Sequence, residues 1–134
     1  MKRVKIKCPY CGAMAVRRTA KDIYGAAARD PGAPLYVCSH YPACDAYVGA
    51  HKRTGLPMGT LANGDLRHKR IVAHRAFNRL WQSGLMSKWQ AYKWLQAKLD
   101  LDAEHTHIAM FSDYMCEQVI TLCKSFGHSC GQAA

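Results

Sequence analysis

Two pairs of cysteines in the first fifty residues have the types and spacing that metal binding requires. Cys8 and Cys11 lie in "CPYCG", in which proline shapes a turn and glycine lets the backbone fold back toward the sulfurs. Cys38 and Cys44 follow in "CSHYPAC". Four thiolates around one zinc ion form a closed tetrahedral site, which is structural rather than catalytic.

The second pair is more widely spaced than a standard zinc knuckle, so its ligands are less strictly determined. Four cysteines are the favoured set. The alternatives are a mixed set, in which His40 or His51 replaces one cysteine, and a redox-active pair. Because a segment of about 55 residues has only a small core, one structural Zn²⁺ ion would supply much of its folding free energy.

The expected compartment also favours a metal over disulfides. The chain has seven cysteines, and an odd number argues against a complete disulfide framework. The basic start "MKRVKIK" lacks the apolar stretch of a signal peptide, and no apolar run reaches the length of a membrane span. We therefore expect a cytoplasmic protein with no membrane partner, in a compartment that keeps thiols reduced.

The positive charge is unevenly distributed along the chain. The formal net charge is +10, and 18 of the 19 Lys and Arg residues precede residue 100, whereas five of the nine acidic residues lie at residue 100 or beyond it. A basic body with an acidic end predicts a polyanionic partner for the first hundred residues. The alternative is a basic surface that is simply solvated.

The cysteine segments resemble the zinc ribbons at the C-terminal end of bacterial type I DNA topoisomerases. Those ribbons have a CPxCG knuckle, an aromatic residue just before the third cysteine, and a second knuckle of the form CSxYPxC. The matching residues here lie in about the first 50 and are Cys8, Cys11, Gly12, Tyr36, Cys38, Ser39, Tyr41, Pro42 and Cys44. The whole chain, including "GTLANGDLR", "AHRAFNRLW" and "HIAMFS", resembles a family of small zinc-finger-containing proteins of bacteria and their phages.

The resemblance to the topoisomerase ribbons implies contacts with single-stranded DNA through aromatic and basic side chains. The rings expected to stack on the bases are those of Tyr36 and Tyr47, although both could equally be packing residues. Arg17 and Arg18 are adjacent in a strand-like segment, so we expect them on opposite faces. The cations expected to follow the phosphates are Lys5, Lys7, Arg17, Arg18, Lys52 and Arg53.

A second basic surface is predicted on the first long helix. Arg75 and Arg79 recur at helical spacing, away from the face that carries Phe77 and Trp81. This surface could cross a phosphate backbone, and the alternative is a solvated helix face.

The pattern of elements predicts an α+β fold, with a small zinc ribbon of short antiparallel β-strands followed by a three-helix domain. The ribbon occupies 1–56, the helical domain 57–127 and a flexible tail 128–134. We expect strands at "AVRRTA" and "LYVC", with a mobile loop, "YGAAARDPGAP", between them. Helices are predicted from Asp65, from Ser87 with a capping box to Gln90, and from near Ser112.

We predict that the protein is not an enzyme and has no small-molecule substrate. The sequence lacks a Gly-rich phosphate loop, a nucleophile with a base, and clustered carboxylates for magnesium. The favoured function is nucleic-acid binding, DNA over RNA and single-stranded DNA over duplex, as an accessory factor of a phage or mobile element. The alternative is a protein-interaction module, such as a phage-encoded inhibitor of a host protein. A second metal site is a weaker hypothesis, with the candidate ligands Cys116, Cys123, His128 and Cys130.

Overall fold

The chain divides into two compact units between Asp65 and Leu66 in a computed structural model. The structure describes residues 4–133, and the side chains of 4–126. We call residues 4–65 the N-terminal unit and the residues from 66 onward the helical unit. The predicted flexible tail, 128–134, lies outside the residues whose side chains are described.

The N-terminal unit is built on a three-stranded antiparallel sheet in the order β1-β2-β3, which confirms the predicted α+β class. Its strands are β1 (Ala15–Thr19), β2 (Pro34–Cys38) and β3 (Tyr47–Gly49). Because β2 is central, its alternate side chains are buried on opposite faces. Tyr36 and Cys38 pack with one cluster, and Leu35 and Val37 pack with another.

A short helix, α1 (Ala20–Tyr24), follows β1 directly. The described residues thus contain four α-helices, whereas the sequence predicted three. The extra helix was missed because five residues are too few to display helical periodicity. It begins where the Asp22 carboxylate accepts hydrogen bonds from the backbone N–H and the hydroxyl of Thr19, at 3.0 and 3.2 Å.

The helical unit contains all but the first two residues of α2 (Gly64–Gln82), together with α3 (Lys88–Leu99) and α4 (Asp113–Ala133). The predicted capping box of α3 is confirmed, because Ser87 Oγ accepts from the Gln90 N–H and Gln90 Oε1 accepts from the Ser87 N–H. The three helices share one apolar core around Phe77, which packs edge-to-face on Tyr92 with ring centroids 4.8 Å apart.

Candidate metal centre

The first knuckle is a tight turn that brings Cys8 and Cys11 to one side of the chain. The Gly12 N–H donates to the Cys8 carbonyl at 3.0 Å, and the Cys8 N–H donates to the Ala13 carbonyl at 2.7 Å. Gly12 has φ of 79°, a left-handed conformation that glycine adopts without a steric penalty. The glycine of "CPYCG" is therefore required by the backbone that presents the two sulfurs.

The second knuckle starts at the end of β2. Cys38 is the last residue of that strand, and the Tyr41 N–H donates to its carbonyl at 2.9 Å. The Cys44 N–H donates to the His40 carbonyl at 3.1 Å, which closes a second turn. The wider spacing of this pair is thus accommodated by two consecutive turns, and Cys44 comes back to face the first knuckle.

The four sulfurs form one cluster. All lie within 4.8 Å of one another, with Cys8 Sγ 3.7 Å from Cys44 Sγ and Cys11 Sγ 3.3 Å from Cys38 Sγ. Zinc–sulfur bonds of about 2.3 Å in a tetrahedron separate the sulfurs by about 3.8 Å. The observed separations are close to that value, so the donor set fits a zinc ion.

The surroundings of the sulfurs also suit a cation. Burial raises the pKa of the Cys8 thiol, but backbone N–H groups of Cys11 and Tyr10 donate to its sulfur and lower the pKa on balance. Burial raises the pKa of Cys38 to about 12. A thiolate at Cys38 therefore needs a metal beside it, and zinc would supply that charge without any redox chemistry.

Histidine is absent from the cluster of ligand atoms found among the described side chains. His40 is nearby, with Nδ1 3.6 Å from Cys11 Sγ, but the four cysteines are mutually close without it. The favoured four-cysteine set thus has the geometry of a complete site, and His40 is a neighbour of one ligand.

The two tyrosines predicted to stack on bases are buried. Tyr36 is 2% exposed and Tyr47 is 8% exposed. The Tyr36 hydroxyl donates to the Gly55 carbonyl at 2.6 Å, and the Tyr47 hydroxyl shares a 2.6 Å hydrogen bond with Tyr24. Neither ring offers a face to a base here, because both fill the small cores on either side of the sheet.

Three of the predicted cations line a single open groove of about 490 Å³ in the N-terminal unit. Arg17, Arg18 and Lys52 all contribute to it, together with Thr19, Asp22, Gly32 and Pro34. The side chains of Arg17 and Arg18 do alternate, since Arg17 is half-buried and Arg18 is exposed. Both side chains nevertheless line the groove, because it lies at the end of β1.

The remaining predicted cations are dispersed. Lys5, Lys7 and Arg53 are exposed in the N-terminal unit, and Arg75 and Arg79 are exposed on α2. Arg70, also on α2, is 9% exposed and its Nε donates to the Phe111 carbonyl at 3.0 Å.

Sequence reasoning missed an exposed stripe beside the groove. Met14, Val16 and Arg18 are exposed at alternate positions along β1 and its start, and Met14 and Val16 are 46% and 39% exposed. Tyr10 is 45% exposed, and its hydroxyl accepts the Asn63 N–H at 3.2 Å. The period-2 alternation in "MAVRR" was the available signal.

The weaker metal hypothesis is not supported by the described side chains. Cys116 is fully buried and Cys123 is 6% exposed in the apolar core of the helical unit. Both behave as small core residues. The other two candidates, His128 and Cys130, lie outside the described side chains.

Comparison with known proteins identifies the family. The profile of a family described as a zinc-finger-containing domain, DUF3268, matches residues 4–126. No curated protein and no solved structure gave a significant match. Among the described helices, none combines the length and apolar content that a bilayer span requires. The family match and the four-sulfur cluster together support one structural zinc ion, and the chain belongs to this family of zinc-finger-containing domains.

Proposed function

We infer that this zinc-binding protein binds nucleic acid through its N-terminal unit, with single-stranded DNA preferred. The observation that carries the proposal is the convergence of Arg17, Arg18 and Lys52 on one open groove. Guanidinium and ammonium groups that meet at one surface can follow the phosphates of a nucleic-acid backbone. The predicted role as an accessory factor of a phage or mobile element belongs to the same proposal.

The acidic residues near the groove are already engaged. The Asp22 carboxylate accepts two hydrogen bonds from Thr19, and Asp30 forms an exposed ion pair with Lys52. Exposed pairs contribute little to stability, so Lys52 can exchange Asp30 for a phosphate at small cost. The groove therefore keeps a net positive character despite the two carboxylates.

Base contacts require exposed rings or apolar side chains, and the stripe next to Arg18 offers them. Met14 and Val16 lead along β1 toward Arg18, and Tyr10 is exposed within the first knuckle. Unpaired bases can lie against such side chains, whereas duplex bases remain stacked on one another. We therefore assign the stacking role to Tyr10 rather than to Tyr36 or Tyr47.

The test is a fluorescence-anisotropy titration of the zinc-loaded protein with labelled single-stranded and duplex DNA at several salt concentrations. Arg18→Ala removes a groove cation without disturbing the packed Arg17. We expect weaker binding and a salt slope smaller by about 1. The matched control is Arg29→Ala, because Arg29 is an exposed arginine of the same unit that does not line the groove.

Each outcome is informative. Equal losses in the two variants would mean that the net charge alone attracts DNA, and the groove would lose its assigned role. A loss confined to Arg75→Ala and Arg79→Ala would transfer binding to α2. Absence of binding at moderate salt would end the nucleic-acid proposal.

A second candidate function is protein interaction, and one observation favours it. The helical unit has a largely apolar groove of about 780 Å³ between α2 and α4, with Val72, Ala76, Leu80 and Ile120 among its lining residues. If a protein partner binds in this groove, chemical crosslinking will join that partner to the wild-type chain, and Val72→Glu will abolish the crosslink. Ile71→Glu is the control and should retain it, because the exposed Ile71 does not line the groove.

A further inference from the structure

The four zinc ligands differ sharply in accessibility. Cys8 and Cys38 are 2% and 1% exposed, and Cys44 is half-buried, whereas Cys11 is exposed. A thiolate must be reached by a reagent before it can react, so exposure ranks the four sulfurs as nucleophiles. By that criterion Cys11 is the most reactive of the four sulfurs.

Backbone N–H groups donate to the three less exposed sulfurs. Backbone N–H groups of Cys11 and Tyr10 donate to Cys8, that of His40 donates to Cys38, and that of Ala46 donates to Cys44. Such donors withdraw electron density from a thiolate and reduce its nucleophilicity. The exposed ring of His40 lies beside Cys11, with Nδ1 3.6 Å from its sulfur.

A second cysteine is in position to complete a reaction that begins at Cys11. Cys38 Sγ lies 3.3 Å from Cys11 Sγ, closer than the 3.7 Å between Cys8 and Cys44. We propose that Cys11 is the oxidant-reactive thiolate of the zinc centre, and that a hydroperoxide converts Cys11 and Cys38 into a disulfide with loss of the metal.

The oxidation of Cys11 and Cys38 proceeds in two nucleophilic displacements. The Cys11 thiolate attacks one peroxide oxygen, so a sulfur–oxygen bond forms, the oxygen–oxygen bond breaks, and hydroxide (or an alkoxide) leaves. The Cys38 thiolate then attacks the sulfenic sulfur, so a disulfide bond forms and a second hydroxide leaves. Two thiolates lose two electrons, which reduce the peroxide. Cys8 and Cys44 alone are too few to hold the zinc ion.

The first experiment is peptide-mapped alkylation of the folded, zinc-loaded chain with N-ethylmaleimide. The chain carries Cys130→Ser in every arm, so that this cysteine does not complicate the map. We expect Cys11 to be labelled at least about tenfold faster than Cys8, Cys38 or Cys44, at a rate proportional to reagent concentration. The buried Cys116 and Cys123 serve as internal controls.

The second experiment adds hydrogen peroxide and follows both the released zinc, with a chromogenic chelator, and the disulfide, by mass spectrometry. We expect a Cys11–Cys38 disulfide that appears together with the zinc. Cys11→His keeps four potential ligands and should resist peroxide while it still binds zinc.

Three results would overturn the proposal. One is equal labelling of all four ligands at a rate independent of reagent, which means that zinc leaves before any thiolate reacts. Another is a first disulfide between Cys8 and Cys44. The third is unchanged peroxide sensitivity in a zinc-loaded Cys11→His protein.

Discussion

Arg17 lies over the ring of Tyr36, with its Cζ 5.2 Å from the ring centroid, and the two residues are directly paired across β1 and β2. The ring below the guanidinium is almost completely buried, and its hydroxyl holds the Gly55 carbonyl. The arginine therefore covers an aromatic ring that a base would need to reach. Tyr36 is therefore a packing residue, whereas Arg17 contributes positive charge at the surface.

Tyr36→Phe should destabilise the N-terminal unit without weakening DNA binding. It leaves the buried Gly55 carbonyl without its donor, at a cost of about 1–2 kcal/mol. Tyr36→Ala removes the ring as well and should cost about 3–5 kcal/mol. Denaturant unfolding of zinc-loaded protein, followed by amide NMR signals of this unit, measures both values. A stable Tyr36→Phe protein with reduced DNA affinity would contradict this prediction.

Zinc content should be one ion per chain and should depend only on the first four cysteines. Cys8→Ser is expected to abolish stoichiometric zinc and the β-sheet amide signals, because metal binding and folding are coupled in so small a unit. Cys116→Ala should retain one zinc, since Cys116 is a core residue. Elemental analysis of purified protein gives the ratio. Two zinc ions per chain, or loss of zinc in Cys116→Ala, would support the hypothesis of a second metal site.

Arg70→Ala should destabilise the helical unit far more than Arg75→Ala. Arg70 is buried on α2 and donates to the Phe111 carbonyl, whereas Arg75 is an exposed residue of the same helix. Truncation of Arg70 leaves that carbonyl unpaired, at about 1–3 kcal/mol, and the exposed control should remain within about 0.5 kcal/mol. Urea unfolding followed by circular dichroism compares the two variants. Equal effects would show that the buried contact contributes little.

The turn after α3 should be sensitive to acid. Hydrogen bonds from the side chain and the backbone N–H of His105 lower the pKa of Asp102 below its ordinary value of 3.8. Because the pKa is lowered in the folded state, the stabilisation is complete above the ordinary value and is lost as pH falls through the lowered one. NMR titration of the Asp102 carboxyl checks the direction. In Asp102→Asn the acid-dependent part should disappear, and a titration at or above 3.8 would refute the prediction.

The metal cluster was predictable from the sequence because its information is local. Proline and glycine around Cys8 and Cys11 determine the first turn, and Cys38 and Cys44 are the only other cysteines in the first hundred residues. The helical core was also predictable from the sequence, since Phe77 and Leu80 follow a clear helical periodicity. These features depend on spacing along the chain, and spacing is what a sequence displays.

The placement of Tyr36, Arg17 and Arg18 could not be derived in the same way. Alternation predicts which face a strand residue occupies, but it does not say which face is covered. Tyr36 is buried because Gly55, nineteen positions later, returns to accept its hydroxyl. Arg17 and Arg18 line one groove together with Gly32 and Pro34, which come later in the chain. Both outcomes depend on tertiary contacts between distant segments.

The position of β1 in the sheet has a consequence for the behaviour of the protein at high concentration. β1 is an edge strand, and an edge strand can pair with the same strand of another molecule. In a symmetric antiparallel pairing centred on Arg17 and Arg18, the two arginines of one molecule would lie opposite the two of the other, and like charges opposite one another are destabilising. The two arginines that we propose to contact a polyanion would therefore also oppose aggregation of the protein.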